Sequence, residues 1–428
     1  MWSTMTNLKL AKLTYFSFYF VALGVFVSVT VPSGYHIFAG IPLLIFSWKY
    51  LMVEKHKLPK SAWILLAFVL LSYIANFFNL DTLNRPMRSF GKQKYELFSI
   101  MTIMGLYYLR DYLSAAKWRK ILNVFLFTIV AAAVYGIIKV IFQFDLLTMS
   151  TAVGGEELVR NGGFTEVMRY GYGTGFVLSM MLASIPFVKS STLINKKWFW
   201  SALVAAVVGI YFAKTRGAIL GVFVSIPVIV WFFKRKLGYG LATLGVVGMV
   251  LGLFLIQSGN FENRLFSKLG SGSNLKRLSQ YEASIAAFTE KPLFGHGVNQ
   301  FSSICPAVKK RHDIFWPEYC TKFPTLQCDH SHREAYCGHS HNVFLETATN
   351  RGVFALLAFV SFLLMWAYEM WKRQDAMTVV IFALLANFVV ASQFEYTLNA
   401  NNSFLFWFIY SISFIPLPKK YSLETIKG

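Results

Sequence analysis

Residues 198–233 read Trp198-Phe-Trp-Ser-Ala-Leu-Val-Ala-Ala-Val-Val-Gly-Ile-Tyr-Phe-Ala213, then Lys214-Thr215-Arg216, then Gly217-Ala-Ile-Leu-Gly-Val-Phe-Val-Ser-Ile-Pro-Val-Ile-Val-Trp-Phe-Phe233. Two apolar runs flank three residues, two of them cationic. Each run approaches the ~20 apolar residues that carry a helix across ~30 Å of hydrocarbon. With so short a connection the two form a hairpin, and Lys214 and Arg216 stand at a membrane boundary. A chain assembled from such hairpins is all-α, because in lipid each segment must satisfy its own backbone hydrogen bonds.

The rest of the sequence repeats the pattern. Of 428 residues 56% are hydrophobic and 14% charged, with 42 Phe and 11 Trp and a mean hydropathy of +0.50, which excludes an ordinary soluble protein. The first run, Leu13 to Val31, is long enough to span and is followed at once by another, so it reads as a retained helix rather than a cleavable signal. Further spans are expected near 35–52, 62–80, 95–109, 121–143, 172–188, 198–213, 217–233, 237–257, 352–371, 376–393 and 403–416, about twelve in all. The expected fold is an all-α polytopic membrane protein: helices 1–9 within 1–257, a large outer segment over 258–351, helices 10–12 within 352–416, and a tail over 417–428.

The net charge of +21 would suggest a nucleic-acid partner in a soluble chain, but here topology accounts for most of it. Twelve spans put Lys9, Lys12, Lys49, Lys55, Lys57 and Lys60 on one side, with Arg110, Lys117, Arg119 and Lys120. Lys189, Lys196, Lys197, Lys234, Arg235, Lys236, Lys372, Arg373, Lys419, Lys420 and Lys427 join them, opposed only by Glu54, Asp111, Asp375 and Glu424. By the positive-inside rule that side is the cytoplasm, both termini lie inside, and no nucleic-acid partner is needed.

The opposite face receives 81–94, 144–171 and 258–351. Segments as long as the last are folded or functional units, and chemistry is expected there. It holds all four cysteines, Cys305, Cys320, Cys328 and Cys337. An even number confined to the outer side points to an oxidising compartment and two disulfides, with three pairings open. A zinc site shared with His312, His330, His332, His339 and His341 is the competing reading; no Cys-x2–4-Cys pair supports it, and neither metal nor cofactor is expected.

Basic residues on that outer face break the topology rule. Arg216 stands beside Gly217 and Ala218, which open the next helix, so its guanidinium and free N–H groups suit a phosphate; snorkelling to headgroups is the plain alternative for Lys214 and Arg216. The stretch 275–289 reads as an amphipathic helix with Leu278, Tyr281, Ile285 and Phe288 on one stripe. Arg277 sits at its expected start, an unfavourable end for a cation, which calls for an anionic partner, Glu282 or a substrate. Arg85, Arg88, Lys92 and Lys94, with Arg160 and Arg169, would face the same outer cavity and focus an anionic substrate there.

Past the Cys- and His-rich stretch 305–341 comes Gly338-His339-Ser340-His341-Asn342, followed by Gly352, where the outer segment re-enters the membrane. A histidine at that boundary could take a proton from a hydroxyl on a lipid-borne substrate. Thr215-Arg216-Gly-Ala-Ile-Leu-Gly221, Arg277-Leu-Ser-Gln-Tyr-Glu-Ala with Lys291-Pro-Leu-Phe-Gly-His-Gly297, His341-Asn342 with Gly352, and more weakly Arg160-Asn-Gly-Gly-Phe164 together resemble the O-antigen ligase family, within the superfamily that also holds O-antigen polymerases and protein O-oligosaccharyltransferases. The resemblance covers roughly residues 150 to 390. Ala355 departs from it, standing where the family usually has Gly, Thr or Tyr, and the four-cysteine insert is not a general family feature.

The resemblance implies a GT-C-like, metal-independent, inverting glycosyltransferase of the bacterial inner membrane. It would move a glycan from undecaprenyl diphosphate to lipid A-core at the periplasmic face. It further implies that Arg216 and Arg277 grip the donor diphosphate and that His341 orients or deprotonates the acceptor. Lys214, Arg160, Arg169, Arg88, His339 and Asn342 are the accompanying substrate-binding candidates, and His339 is close enough to contest the base role. An O-antigen polymerase using the same donor is the nearest alternative, then a protein O-oligosaccharyltransferase. A transporter would require internal repeats and mid-membrane ionisable groups, of which Lys139 is the main candidate.

Overall fold

The computed structural model describes residues 2–27, 30–145, 150–151, 162–245, 272–312, 314, 337–398, 400–418 and 421–424. Helices α1 (Trp2–Val27), α2 (Ser33–Trp48, extended by a π-turn over Lys49–Val53), α3 (Lys60–Phe77), α4 (Lys94–Leu109), α5 (Ala115–Phe142), α6 (Val167–Val188), α7 (Lys196–Ala213) and α8 (Arg216–Phe233) precede the outer segment. Within or after it lie α9 (Gly272–Glu290), α10 (Phe301–Arg311), α11 (Val343–Arg373), α12 (Ala376–Ala391) and α13 (Ala400–Ile412). A two-residue β-ladder, Phe144–Asp145 against Ser150–Thr151, is the sole sheet among the described residues.

Eight of these helices are long and apolar enough to cross a membrane, and Ala376–Ala391 and Asn402–Ile412 are shorter apolar helices. The chain is a multi-pass membrane protein, helical among the described residues apart from that short ladder. Ile37, Phe142 and Tyr211 are about seven-tenths exposed, a placement that lipid makes favourable and water would penalise. Inside, Trp366, Trp407, Tyr410, Phe359, Phe362 and Phe388 are almost wholly buried in stacked and edge-to-face contacts, Trp366 meeting Tyr410 edge-to-face at 5.1 Å and Phe362 stacking on Trp366 at 5.9 Å.

Helix ends follow their capping residues. Ser114 accepts from Lys117 N–H to start α5, Asn195 accepts from Lys197 N–H to start α7, and Asp375 forms a capping box with Thr378 for α12. The Ser114 cap starts α5 at Ala115 rather than near 121, which puts Lys117, Arg119 and Lys120 inside its first turns. Lys139 falls in the last turn of α5, not at mid-membrane. The expected span 237–257 is helical over 235–245, and its remainder lies outside the described residues.

Small residues set the packing that positions the outer end. Helices α6, α8 and α12 pack on one another, with Gly175 against Ala218 and Gly221 against Asn387. Asn387 donates to the Gly175 carbonyl at 3.1 Å and the Ser179 hydroxyl at 2.8 Å, a polar tie inside an apolar junction. Above it, Gly171 makes room for Thr215, and Gly217 makes room for the Tyr172 hydroxyl and Phe394. Arg216 is thereby fixed beside the turn that follows α12.

Candidate functional site

Helix α11 does not begin with the membrane span near 352; it starts nine residues earlier, at Val343. Asn342 caps it, its side-chain oxygen accepting from Phe344 and Leu345 N–H at 2.9 and 3.1 Å. Glu346 accepts from Ser340 N–H at 2.8 Å, so the His339–His341 strap is bound to the first turn of the helix. His341 itself adopts a left-handed backbone with φ 52°, uncommon for a residue with a Cβ. Tyr281 helps hold it, donating to the Gln393 carbonyl with the His341 carbonyl at 3.4 Å, while Val343 N–H reaches the Ser392 carbonyl at 3.0 Å.

The helix breaks at Gly352, where φ is 79° and ψ 179°. The break frees carbonyls that the Lys291–Gly297 turn takes up. His296 N–H donates to Thr349 O at 3.0 Å, Gly297 N–H to Asn350 O at 2.9 Å, and Val353 N–H to Pro292 O at 2.8 Å. The turn is anchored in its turn to the chain just after α3, through Asn79 to the Gly295 carbonyl and Lys291 to Asn79. This is why the two glycine-containing motifs occur together: each is the other's backbone partner.

Three of the expected residues converge on one that the sequence reading did not single out. Glu395, nine-tenths buried in the turn after α12, is hydrogen-bonded by His339 Nε2 on one oxygen and by His341 Nδ1 at 3.0 Å on the other, with Arg277 Nη2 at 3.9 Å. The negative partner of Arg277 is therefore Glu395. Since α9 begins at Gly272, Arg277 lies beyond its first turn and the helix-end argument does not apply to it. The apolar stripe is not the face of α9 that packs on α10 and α11. Ala283, Ser284 and Ala287 are buried against α10 and α11, where small residues allow close approach, whereas Leu278 and Ile285 face outward.

Burial works against charge on Glu395, yet hydrogen bonds from the two imidazoles overcome it and hold the carboxyl well below its usual range. Burial likewise works against a protonated His339, but the Glu395 hydrogen bond and charge outweigh it and raise its pKa. His339, His341 and Glu395 have donor atoms within 4.8 Å of one another, a set that by type could hold a divalent ion. However, each imidazole nitrogen in the set points at a carboxylate oxygen at hydrogen-bond distance, and Arg277 adds a cation beside the same carboxylate. The arrangement suits proton sharing.

The other expected residues are distributed around this centre. Arg216 is exposed at the start of α8, with no ion pair among the described residues, and its neighbour Gly217 packs on Phe394, next to Glu395. Lys214 is exposed in the left-handed C-cap of α7. Arg277 Nε is buried without a hydrogen-bond partner among the described residues. Asn342 spends its amide nitrogen on the Gln393 side chain at 3.0 Å. Arg169 pairs with Glu166 at 3.3 Å, and Arg88 is exposed on the helical turn Pro86–Phe90. Arg160 lies outside the described residues. Behind the strap, Lys92, Glu96, Glu346, Arg351 and Tyr396 line a cavity of about 40 Å³, room for water, and burial there lowers the pKa of Lys92. Cys305 and Cys337 form a disulfide that ties α10 to the chain two residues before His339, so these two are not metal ligands; Cys320 and Cys328 lie outside the described residues.

No curated protein matches the chain. A family model described as O-antigen ligase matches residues 201–360, a stretch that contains Arg216, Arg277, the histidine strap and Gly352 and ends before Glu395. Over that segment the chain is similar to the O-antigen ligase family, whose members are glycosyltransferase-like enzymes of lipopolysaccharide synthesis.

Proposed function

We propose that the protein is an O-antigen ligase of the bacterial inner membrane. It transfers a glycan from undecaprenyl diphosphate to a lipid A-core acceptor at the periplasmic face, with inversion and without a metal. The observation that carries this reading is the convergence of His339, His341 and Arg277 on Glu395, with Arg216 fixed beside the same turn.

His341 engages Glu395 through Nδ1, which leaves Nε2 as the nitrogen with a lone pair for the acceptor hydroxyl. As the acceptor oxygen bonds to the anomeric carbon, its proton passes to Nε2 and the bond from that carbon to the diphosphate oxygen breaks on the opposite face. Glu395 stabilises the resulting imidazolium. His339, already held toward its protonated form by Glu395, is poorly suited to take a second proton, so the base role falls to His341. The leaving diphosphate gains charge during this step. Arg216, at a helix N-terminus, and Arg277, with a buried unused donor, are suited to meet it. Lys214, Arg88 and Arg169 extend the positive rim that attracts the donor.

The test is the lipopolysaccharide profile of a deletion strain complemented with wild-type protein or with Arg216→Ala, Arg277→Ala or His341→Ala. The expected outcome is loss of glycan on lipid A-core, by a factor of about 10²–10⁴ in transfer rate for His341→Ala, at normal protein levels. Core carrying single repeats in the deletion strain points to a polymerase, and full attachment in His341→Ala removes it as the base.

A further inference from the structure

The end of the bundle away from Glu395 carries an amphipathic pocket of its own. Helix α4 relates the two ends. Lys92, just before it, lines the small cavity with Glu346, whereas Arg110, just after it, lines a different cavity one helix length or about 24 Å away. Along α13, Ser403 faces the first cavity and Ser411 the second.

This second cavity has a volume of about 690 Å³ and is bordered by the α2–α3 and α4–α5 connections and the chain after α13. Lys57 and Arg110 are the charged groups on its wall; no Asp or Glu lines it among the described residues. The Arg110 guanidinium lies 4.6 Å over the Tyr107 ring. Its neighbouring carboxylate, Asp111, is 3.7 Å away and nine-tenths exposed, so the pair is weak and screened. Through Trp118, Leu193, Leu417 and Tyr421, which border both, the cavity meets an apolar cleft of about 290 Å³ between α1, α5, α6 and α13. From Ile412 to Leu405 that cleft runs two helical turns, about 10 Å, into the bundle. Its lining likewise has no charged side chain among the described residues.

A cationic chamber opening onto an apolar cleft at one membrane boundary matches a phosphate headgroup with its acyl chain below it. We infer that this pocket binds one anionic diacyl phospholipid, its phosphate between Lys57 and Arg110 and one chain in the cleft beside Trp118. Neither residue belongs to the transfer site, so the inference stands apart from the proposed reaction.

Full-length wild-type protein and the Lys57→Gln/Arg110→Gln double variant in neutral detergent test it, with bound lipid counted by native mass spectrometry and thermal unfolding followed in parallel. The wild type is expected to retain one phosphatidylglycerol in preference to phosphatidylethanolamine and to unfold at a higher temperature when it is added. Binding to the double variant is expected to be about 25-fold weaker, the product of roughly fivefold for each basic group near a phosphate. Both substituted side chains are exposed, so the variant folds. Met181→Trp, which fills the cleft, is expected to weaken phosphatidylglycerol binding with Lys57 and Arg110 intact. Equal retention of the two lipids, wild-type binding in the double variant, or displacement of phosphatidylglycerol by millimolar inorganic phosphate overturns the inference, the last by showing a simple anion site.

Discussion

Glu395 is the one acidic residue between Asp375 and Glu424, in the turn after α12, and two imidazoles and a guanidinium surround it. Its isolation in the sequence was the available signal, but a carboxylate 54 residues beyond His341 shows no periodicity or spacing that ties it to a histidine. Glu395→Gln keeps the shape and removes the charge. Transfer is expected to fall about 10–100-fold, the usual cost of losing a group that orients another. The same pairing makes stability depend on pH. Because His339 has a folded pKa above its ordinary 6.5, its contribution is fully present below 6.5 and is lost as pH rises through the folded value. Glu395, held low, contributes above 4.5 and loses that contribution only in acid. The melting midpoint in detergent should therefore decline as the buffer is taken upward from about pH 6.5, and His339→Gln should flatten that decline. A wild-type midpoint that is level over this range contradicts the pairing.

At the scale of elements, the histidine strap and the broken helix behind it work as one unit, and Gly352 is its hinge point. A Cβ there would lie 2.0 Å from the Leu293 carbonyl oxygen, on a backbone with φ 79° that side chains rarely adopt. Backbone rather than a flexible side chain is in the way, so the contact cannot relax cheaply. Gly352→Ala is expected to cost at least about 1–3 kcal/mol from conformation alone. It should lower the melting midpoint and, by loosening Thr349–Arg351, activity as well. Gly91→Ala, with open space and an ordinary φ of −76°, is the control and should change little. Much of this unit was legible: the histidines, Arg277 and the glycine motifs were all identified in sequence. What was hidden is that α11 starts at Val343. An apolar-run criterion sees only lipid-facing residues, and Glu346, Thr349 and Asn350 are polar because the start of α11 is buried against protein. In α9 likewise, apolar Leu278 and Ile285 face outward while Ala283 and Ser284 are buried, so apolar character alone does not mark the face that packs on protein.

At the scale of the molecule, the +21 charge divides into twenty-one basic and four acidic residues expected on the cytoplasmic side and a remainder of +4, of which Arg216 and Arg277 form the informative part. The helix packing bears on that division. Helix α8 begins at Arg216, beside the Glu395 turn, and ends at Phe233, one helix length or about 27 Å away. Arg277 of α9 is again beside Glu395. Lys234 and Arg277 therefore lie at opposite ends of the bundle. Because the Lys234–Lys236 cluster sits at the far end and Arg311 follows α9 and α10 at the near end, the two mark opposite faces. Alkaline phosphatase, active only outside the cytoplasm, should be active when fused after Arg311 and inactive after Lys236. A fluorescent-protein fusion, which matures inside, should give the reverse, and should fluoresce after Gly428. Phosphatase activity at Lys236 would invert the orientation and put the Glu395 cluster on the cytoplasmic face, out of reach of a periplasmic acceptor. Equal signals at Lys236 and Arg311 would contradict the expected span over 237–257, and with it the even count of spans expected to put both termini on one side.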